Sequence, residues 1–594
     1  MPVEPSAGAR RFLQQAGEDG RFTVTDPGTG LVREFTLRPD GTTALLTGVR
    51  DRQGTATTSR TPRTEPRSIT HSGGYRIEVT VADGRITELR LGDTVVMRYG
   101  YTAGNLTSVV NSSGLPLRFA YDADDRVLSW SDRNNSHYWY VYDEHGRVVD
   151  EGGADGSLRF RFSWGEPDAA TGLRTNTETN ALGHTTVYEV NERAQIVSET
   201  DPLGNTVRYE RDEFDRLLAR TDPLGRTTRY AYDGSGDLVR ITRPDGETVE
   251  ALYEGELSLP QVIREPGGVV WRQEFDADGR RLALTDPLGA VTRYAYDEAG
   301  HLASVTDPGG AVTRVGCDPA GLPVAVTDPL GAVTRYERDA FGRVVQITDP
   351  LGRVTRLTWT VEGRPASRTD AEGNTETWEY DGEGNLLAYT DPLGQATRYE
   401  YTHFETLAAR TTPDGARIAF HHDAHMQLVG VTNALGQRWT YTYDAAGRLV
   451  AESDFEQRPL TYELDAAGQL TATVNALGQR TAYRYDALGR LAAKRTDAGT
   501  TTFAYSPPDT SPARPPRRGG AARARPARQP PPRDGRRPHP RQLLRPLGRR
   551  TRRATPAATS PPGPTTRPAV RSPSPRPAAR STSPSTHWAG SSGA

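Results

Sequence analysis

Residues Asp286 through Thr306 read DPLGAVTRYAYDEAGHLASVT, and this stretch decides the architecture. Asp at i, Pro at i+1 and Gly at i+3 are type I turn preferences. Asp297-Glu-Ala-Gly300 repeats that logic, with Gly300 free to take φ > 0 after the turn and close a hairpin with a bulge. Between the turns lie segments of about six residues. In one of them Thr292, Tyr294 and Tyr296 alternate with Arg293 and Ala295, which is the period of a strand. No twelve-residue window in this pattern sustains helical spacing. The stretch is one β-hairpin.

The same pattern extends in both directions. Asp-Pro-Leu-Gly begins at Asp201, Asp222, Asp286, Asp328, Asp349 and Asp391, with variants at Asp307, Asp370, Asn433 and Asn475. From Glu265 to Asn475 the openings fall at 21-residue steps without slippage, and earlier runs open at 180, 201, 222 and 243 and at 111, 132 and 153. That makes 18 units, which overrides the three to five domains that length alone suggests. Eighteen hairpins give about 36 strands, and at about 4.8 Å per strand the sheet runs some 170 Å. Open twisted sheets rarely exceed about ten strands without curling or splitting. A narrow ribbon that long must coil.

Composition says what the coil can enclose. Hydrophobic residues are 35% of the 594, below the roughly 45–50% apolar of an ordinary domain. A filled sandwich needs more. The predicted fold is therefore all-β, a long antiparallel sheet coiled into a hollow spiral shell. Eighteen units also leave open a partial wall in place of a sealed cocoon. No segment is long and apolar enough for a membrane helix, and MPVEPSAGARRFLQQAG lacks a secretory h-region. The single cysteine, Cys317, excludes an internal disulfide framework.

The net charge of −2 sums two unlike parts. Residues 506–594 hold 19 Arg against two acids, and 21 of the 44 prolines. Such a segment cannot bury enough surface to offset chain entropy, and it reads as a disordered tail. The chain has one Lys, Lys494, and 72 Arg, the mark of a GC-rich gene, whose out-of-frame translation yields mainly Arg, Pro, Ala, Gly and Ser. We read the tail as frameshifted, ahead of an inert linker or a nucleic-acid-binding arm.

The YD dipeptides at Tyr121, Tyr142, Tyr232, Tyr296, Tyr380, Tyr443 and Tyr485, all but the first followed by GR or GxL, resemble the RHS/YD-repeat family across about residues 91–505. Residues 22–90 resemble that family's β-rich lead-in, and 1–21 read as a disordered N-terminus. The resemblance implies a cocoon around a variable C-terminal toxin in bacterial members, with the toxin domain and its immunity protein as partners. It implies a secreted or cell-surface location. No adaptor-like segment precedes residue 22. No plug with a DPxGL-type autoproteolytic motif follows Tyr485-Asp486, so no autoprotease residues carry over.

Candidate chemistry is sparse. His421-His422-Asp423-Ala-His425, with His403 upstream, offers zinc-type ligands. In the repeat register, however, His422 replaces a Tyr and Asp423 is the ordinary turn Asp. Adjacent His421 and His422 also point to opposite faces of a strand. Cys317 stands where the Tyr of YD stands, and reads as a wall residue rather than a nucleophile. Carboxylate pairs recur at turns, Ser163-Trp-Gly lacks the first Gly of GxSxG, and an enzyme needs one convergent, nonrepeating constellation. The expectation is a noncatalytic shell without catalytic, cofactor or metal residues, its effector absent. The Tyr stripes read as cross-strand pairs. The rivals are a surface carbohydrate-binding or adhesion protein, with a glycan ligand, and a nuclease seated in the tail.

Overall fold

The computed structural model describes residues 67–506 apart from 256, shorter stretches before them (12–15, 20–26, 29–38, 42–51 and 56–60), and Arg549–Ala554. Among these residues the fold is all-β, with 48 strands in one sheet, three single-turn 3-10 segments and no α-helix. Each strand pairs antiparallel with the next in the chain. Phe12–Gln15 with Arg21–Asp26 stands at one end, and Gly499–Ser506 with Arg549–Ala554 at the other. The rest of the tail, 507–548 and 555–594, lies outside the described residues, and so does the expectation of disorder there.

Each turn is built as its residues demand. Gly300 N–H donates to the Asp297 carbonyl at 2.9 Å, and Asp297 N–H to the His301 carbonyl at 2.8 Å. Gly300 sits at φ 84°, the left-handed region that costs glycine nothing. Asp286–Gly289 closes in the same way at the other end of the hairpin. Asp-Pro-Leu-Gly turns thus line one edge of the ribbon and Tyr-Asp turns the other. Threonines bracket the first kind: Thr221 and Thr227 hydroxyls meet at 2.8 Å, as do Thr200 and Thr206.

A register shift recurs at one place in the unit, where Ala295 faces Ser304 but Tyr296 faces Leu302. It recurs at Glu189/Val190 and at Thr442/Tyr443. Each is a β-bulge, which bends its strand and increases the local twist. Repeated in this way, bulges turn a flat ribbon into a coil.

The wall is one sheet thick. Every substantial strand–strand contact among the described residues joins chain neighbours, and few apolar side chains are buried on either face. The buried apolar residues are mostly small, led by Ala219, Ala283, Ala388, Ala409 and Ala472, none more than 5% exposed. Long polar side chains cover them. Glu400 and Arg417, on the strands flanking Ala409, meet at 2.8 Å, and Glu463 and Arg480 meet at 2.5 Å around Ala472. Their aliphatic stems supply the cover while the charges stay wet.

The ribbon winds back against itself. Hydrogen bonds join residues 243 to 271 positions apart, among them Arg226 to Gln469 and Asn111 to Gly382. One winding is therefore about twelve units of the repeat. In every such contact an Asp-Pro-Leu-Gly-type edge of the first winding meets a Tyr-Asp edge of the second. The long antiparallel sheet read from the sequence is observed, and so is its coiling.

Candidate functional site: the wall and its seam

Three side chains lock each hairpin to the one before. The Tyr of YD donates its hydroxyl to a backbone carbonyl 15 residues earlier: Tyr142 to Val127 at 2.7 Å, Tyr296 to Arg281 at 2.9 Å, and Tyr485 to Leu470 at 2.8 Å. The Asp of the preceding YD accepts backbone N–H bonds within its turn and holds the Arg four residues on. Asp276 and Arg280 meet at 2.6 Å, Asp486 and Arg490 at 2.7 Å. That Arg then lies over the next Tyr, with Arg280 5.5 Å from the Tyr296 ring. Burial pushes the Asp486 carboxyl up, but hydrogen bonds from the Arg490 backbone and side chain outweigh it and hold the group below its ordinary value. Where Tyr is replaced the bond survives in kind: Trp359 donates to Val344 at 2.8 Å and Arg338 to Pro323.

The seam between windings is specific. Arg133 reaches both carboxylate oxygens of Glu383, at 3.1 and 3.0 Å, and its backbone N–H donates to the same group at 2.6 Å. The two side chains are only 10% and 14% exposed. Ser112 donates to Glu362 at 2.6 Å, Asn134 to Asp381 at 2.9 Å, and Leu158 N–H to the Ala424 carbonyl at 2.7 Å. Phe404, at φ 57°, sits edge-on to Trp130 and Tyr138 (6.0 and 5.9 Å), and its N–H donates to the buried Ser136 hydroxyl. The approach is close: a Cβ on Gly382 would lie 3.0 Å from that of Arg133.

The residues singled out for chemistry do not converge. His421 bonds Thr432 at 2.9 Å on one face of its strand. His422 and His425 are half-buried, with each Nδ1 unpartnered, and burial lowers the pKa of both. His425 packs edge-on against Phe160 at 5.5 Å, in the seam. His403 lies 6.3 Å from Phe404 in the same turn. Among the described residues no group of three or more His, Cys, Asp or Glu is placed to hold a metal. Cys317 takes the Tyr position, its sulfur 3.8 Å from the Leu302 carbonyl, and burial raises its thiol pKa. Ser163 pairs with Thr177 in mid-strand.

Sequence reasoning treated the Tyr stripes as side-chain pairs and missed the hydroxyl bond of the YD Tyr. It also missed the seam. One signal was in plain view: Thr402-His-Phe-Glu405 lacks the glycine its turn calls for, and the phenylalanine there is the seam's wedge.

The family model described as the teneurin YD-shell matches residues 353–514. The RHS repeat model matches 195–227, 211–248, 275–312 and 318–354. No curated protein matches. Among solved structures the chain is similar to the TcdB2-TccC3-Cdc42 complex, at 13% identity and TM-score 0.55, over 82% of this chain and 36% of that one. It is similar to TcdB2-TccC3 without its hypervariable C-terminal region (13%, TM-score 0.54, 84% and 37%). A third likeness is to the Photorhabdus luminescens Tc holotoxin pore (13%, TM-score 0.52, 84% and 40%). At such identities the likeness is one of fold, and the chain spans little more than a third of the solved chains' length.

Proposed function

We propose that this chain, whose repeats match the RHS repeat and teneurin YD-shell models, is a noncatalytic wall of the RHS/YD-repeat type that encloses or presents a C-terminal toxin in competition between bacteria. The seam carries this reading. Windings bonded edge to edge make a continuous barrier, and a wall that only supported a surface ligand has no need of one. A winding of about 24 strands has a circumference of about 115 Å and a backbone-to-backbone width of roughly 37 Å. That is room for a chain kept from folding or released as an extended segment. The solved TcdB2-TccC3 structure lacking a hypervariable C-terminal region supports a variable C-terminal partner. Secretion or surface display follows from the same role, and no helix among the described residues is long and apolar enough to cross a membrane.

Protection is the test. A protease-sensitive reporter joined after Tyr505 in place of the tail should be cut at least tenfold more slowly than the free reporter. Equal rates overturn the reading. Carbohydrate binding has one observation in its favour, the stacked aromatic rows Trp130–Tyr138 and Phe160–Phe162–Trp164, with rings 5.6 to 6.4 Å apart. Glycan-array binding lost on Trp164→Ala would favour it. The nuclease reading rests on residues outside those described, and a purified tail that cleaves no nucleic acid removes it.

A further inference from the structure

Three irregularities of the ribbon fall at one place. The strands Val148–Gly153 and Phe160–Pro167 face each other through two residue pairs only, Asp150 with Arg161 and Glu151 with Phe160. Every other strand junction among the described residues has at least three. The link between these two strands is the 3-10 turn Ala154–Gly156, with Asp155 at φ 59° and Leu158 close behind at φ 50°. Across the seam lie the two Tyr-Asp-type turns of the second winding that lack glycine, 402–405 and 423–426. Phe404, Glu405 and Met426 stand there at φ 57°, 62° and 59°, where the other turns of that edge use glycine, from Gly321 to Gly489. Side chains held in this region persist only where their surroundings impose it.

Those surroundings are a clamp. Leu158 donates its N–H to the Ala424 carbonyl of the second winding, at 2.7 Å, and not to a neighbouring strand. The Phe404 ring fills the space over Gly153, where a Cβ would collide with it, and His425 packs edge-on against Phe160. The second winding thus holds both banks of the junction, Gly153 on one side and Leu158 and Phe160 on the other. Within the first winding, what spans the gap is mostly side chain. Asp150 meets Arg159 at 2.6 Å, and the Trp164 Nε1 donates to the Val148 carbonyl at 2.8 Å. A short ladder opens at less cost than a long one, because fewer hydrogen bonds break together.

We propose that this junction is a gate in the wall: Val148–Gly153 and Phe160–Pro167 part, with turns 402–405 and 423–426 as the clamp that holds them shut, and leave a slit for an extended chain. Its purpose rests on the enclosing role proposed above, while the gate itself rests on the ladder and the clamp alone. Such a gate lets an enclosed segment pass sideways with both windings intact.

Amide hydrogen exchange of the full chain, followed peptide by peptide, tests this. In the unmodified protein, residues 148–165 should exchange at least tenfold faster than 185–211 of the same winding. Phe404→Ala combined with His425→Ala should speed 148–165 by a further tenfold and leave 185–211 unchanged. A lock should do the reverse. A Cβ at Gly152 would lie 3.2 Å from that of Arg159, a small shift from the roughly 3.5–4.5 Å of a disulfide. Gly152→Cys with Arg159→Cys and Cys317→Ser, once oxidised, should slow 148–165 to the rate of 185–211, and reduction should release it. Equal protection of the two regions in the unmodified chain overturns the proposal, and this arm decides even where a variant fails to fold. A folded clamp variant whose junction exchanges no faster also overturns it, as does an oxidised lock without effect. A reporter cut at the free rate would sink enclosure and leave a fast junction in place, whereas a slow junction sinks the gate alone.

Discussion

The covered and open Asp-Pro-Leu-Gly edges carry the same motif and meet different fates. Leu224 is 44% exposed and Leu330 94%, though each sits third in a DPLG turn with the same backbone bonds. Local sequence sets the turn, and position along the winding sets what the turn touches. Stability should follow the second. The wall is close to a one-dimensional array, in which each unit contributes through its neighbours. The seam adds contacts that such an array lacks.

The largest effect should be general to both windings. Burial raises the phenol pKa of Tyr138 and Tyr188 in the first and Tyr462 in the second, and takes Tyr253 up to about 12. A raised folded pKa gives stability that is complete below the unfolded value near 10 and is lost as pH rises through the folded one. Circular dichroism should therefore show the whole sheet failing above about pH 10, and a sheet stable at pH 12.5 would contradict this. Next comes the seam. Arg133→Ala leaves Glu383 buried without its partner and should cost about 3 kcal/mol in denaturant titration. Phe404→Ala, which empties the wedge between Trp130 and Tyr138, should cost about 2–3 kcal/mol. Tyr296→Phe loses one hydroxyl bond, about 1 kcal/mol, and the same change at Tyr142 should match it because the latch is local to each unit. At the open edge Leu330→Ala should change stability by less than about 0.5 kcal/mol. A larger loss there would mean that the edge is already covered within the chain.

Acid should weaken the seam. Burial lowers the pKa of His425, which packs on Phe160, with Asp423 favouring its charge and His184 opposing it. A lowered folded pKa gives stability that is present above the ordinary imidazole value of about 6.5 and is lost as pH falls through the folded one. His425→Gln should flatten that slope between pH 7 and 5 and leave the alkaline limb unchanged.

Most of the hairpin was legible before any coordinates. The DPLG and YD turns, the strand alternation of Thr292, Tyr294 and Tyr296, and the glycine at 300 each follow from a local rule, and local rules act within a few residues. Coiling was legible from length alone. The seam was not, because its partners lie some 250 residues apart and nothing within the unit at Arg133 refers to the one at Glu383. The YD hydroxyl bond was hidden for a milder reason. Its acceptor is a backbone carbonyl, and every residue has one. In one exception, Phe404 in a left-handed turn position, the sequence does carry the mark of tertiary contact, but only the winding reveals what it means.

A ribbon that returns to itself after a fixed number of hairpins has to count. In an open array a unit can be dropped or duplicated with little consequence beyond its own neighbours. Here the removal of 21 residues anywhere between Arg226 and Ala320 would put every cross-winding partner one place out of step, setting Arg133 beside the turn that begins at Thr402. Copy number in the middle of this chain is thus fixed by fit, while units beyond the last contact are free to vary.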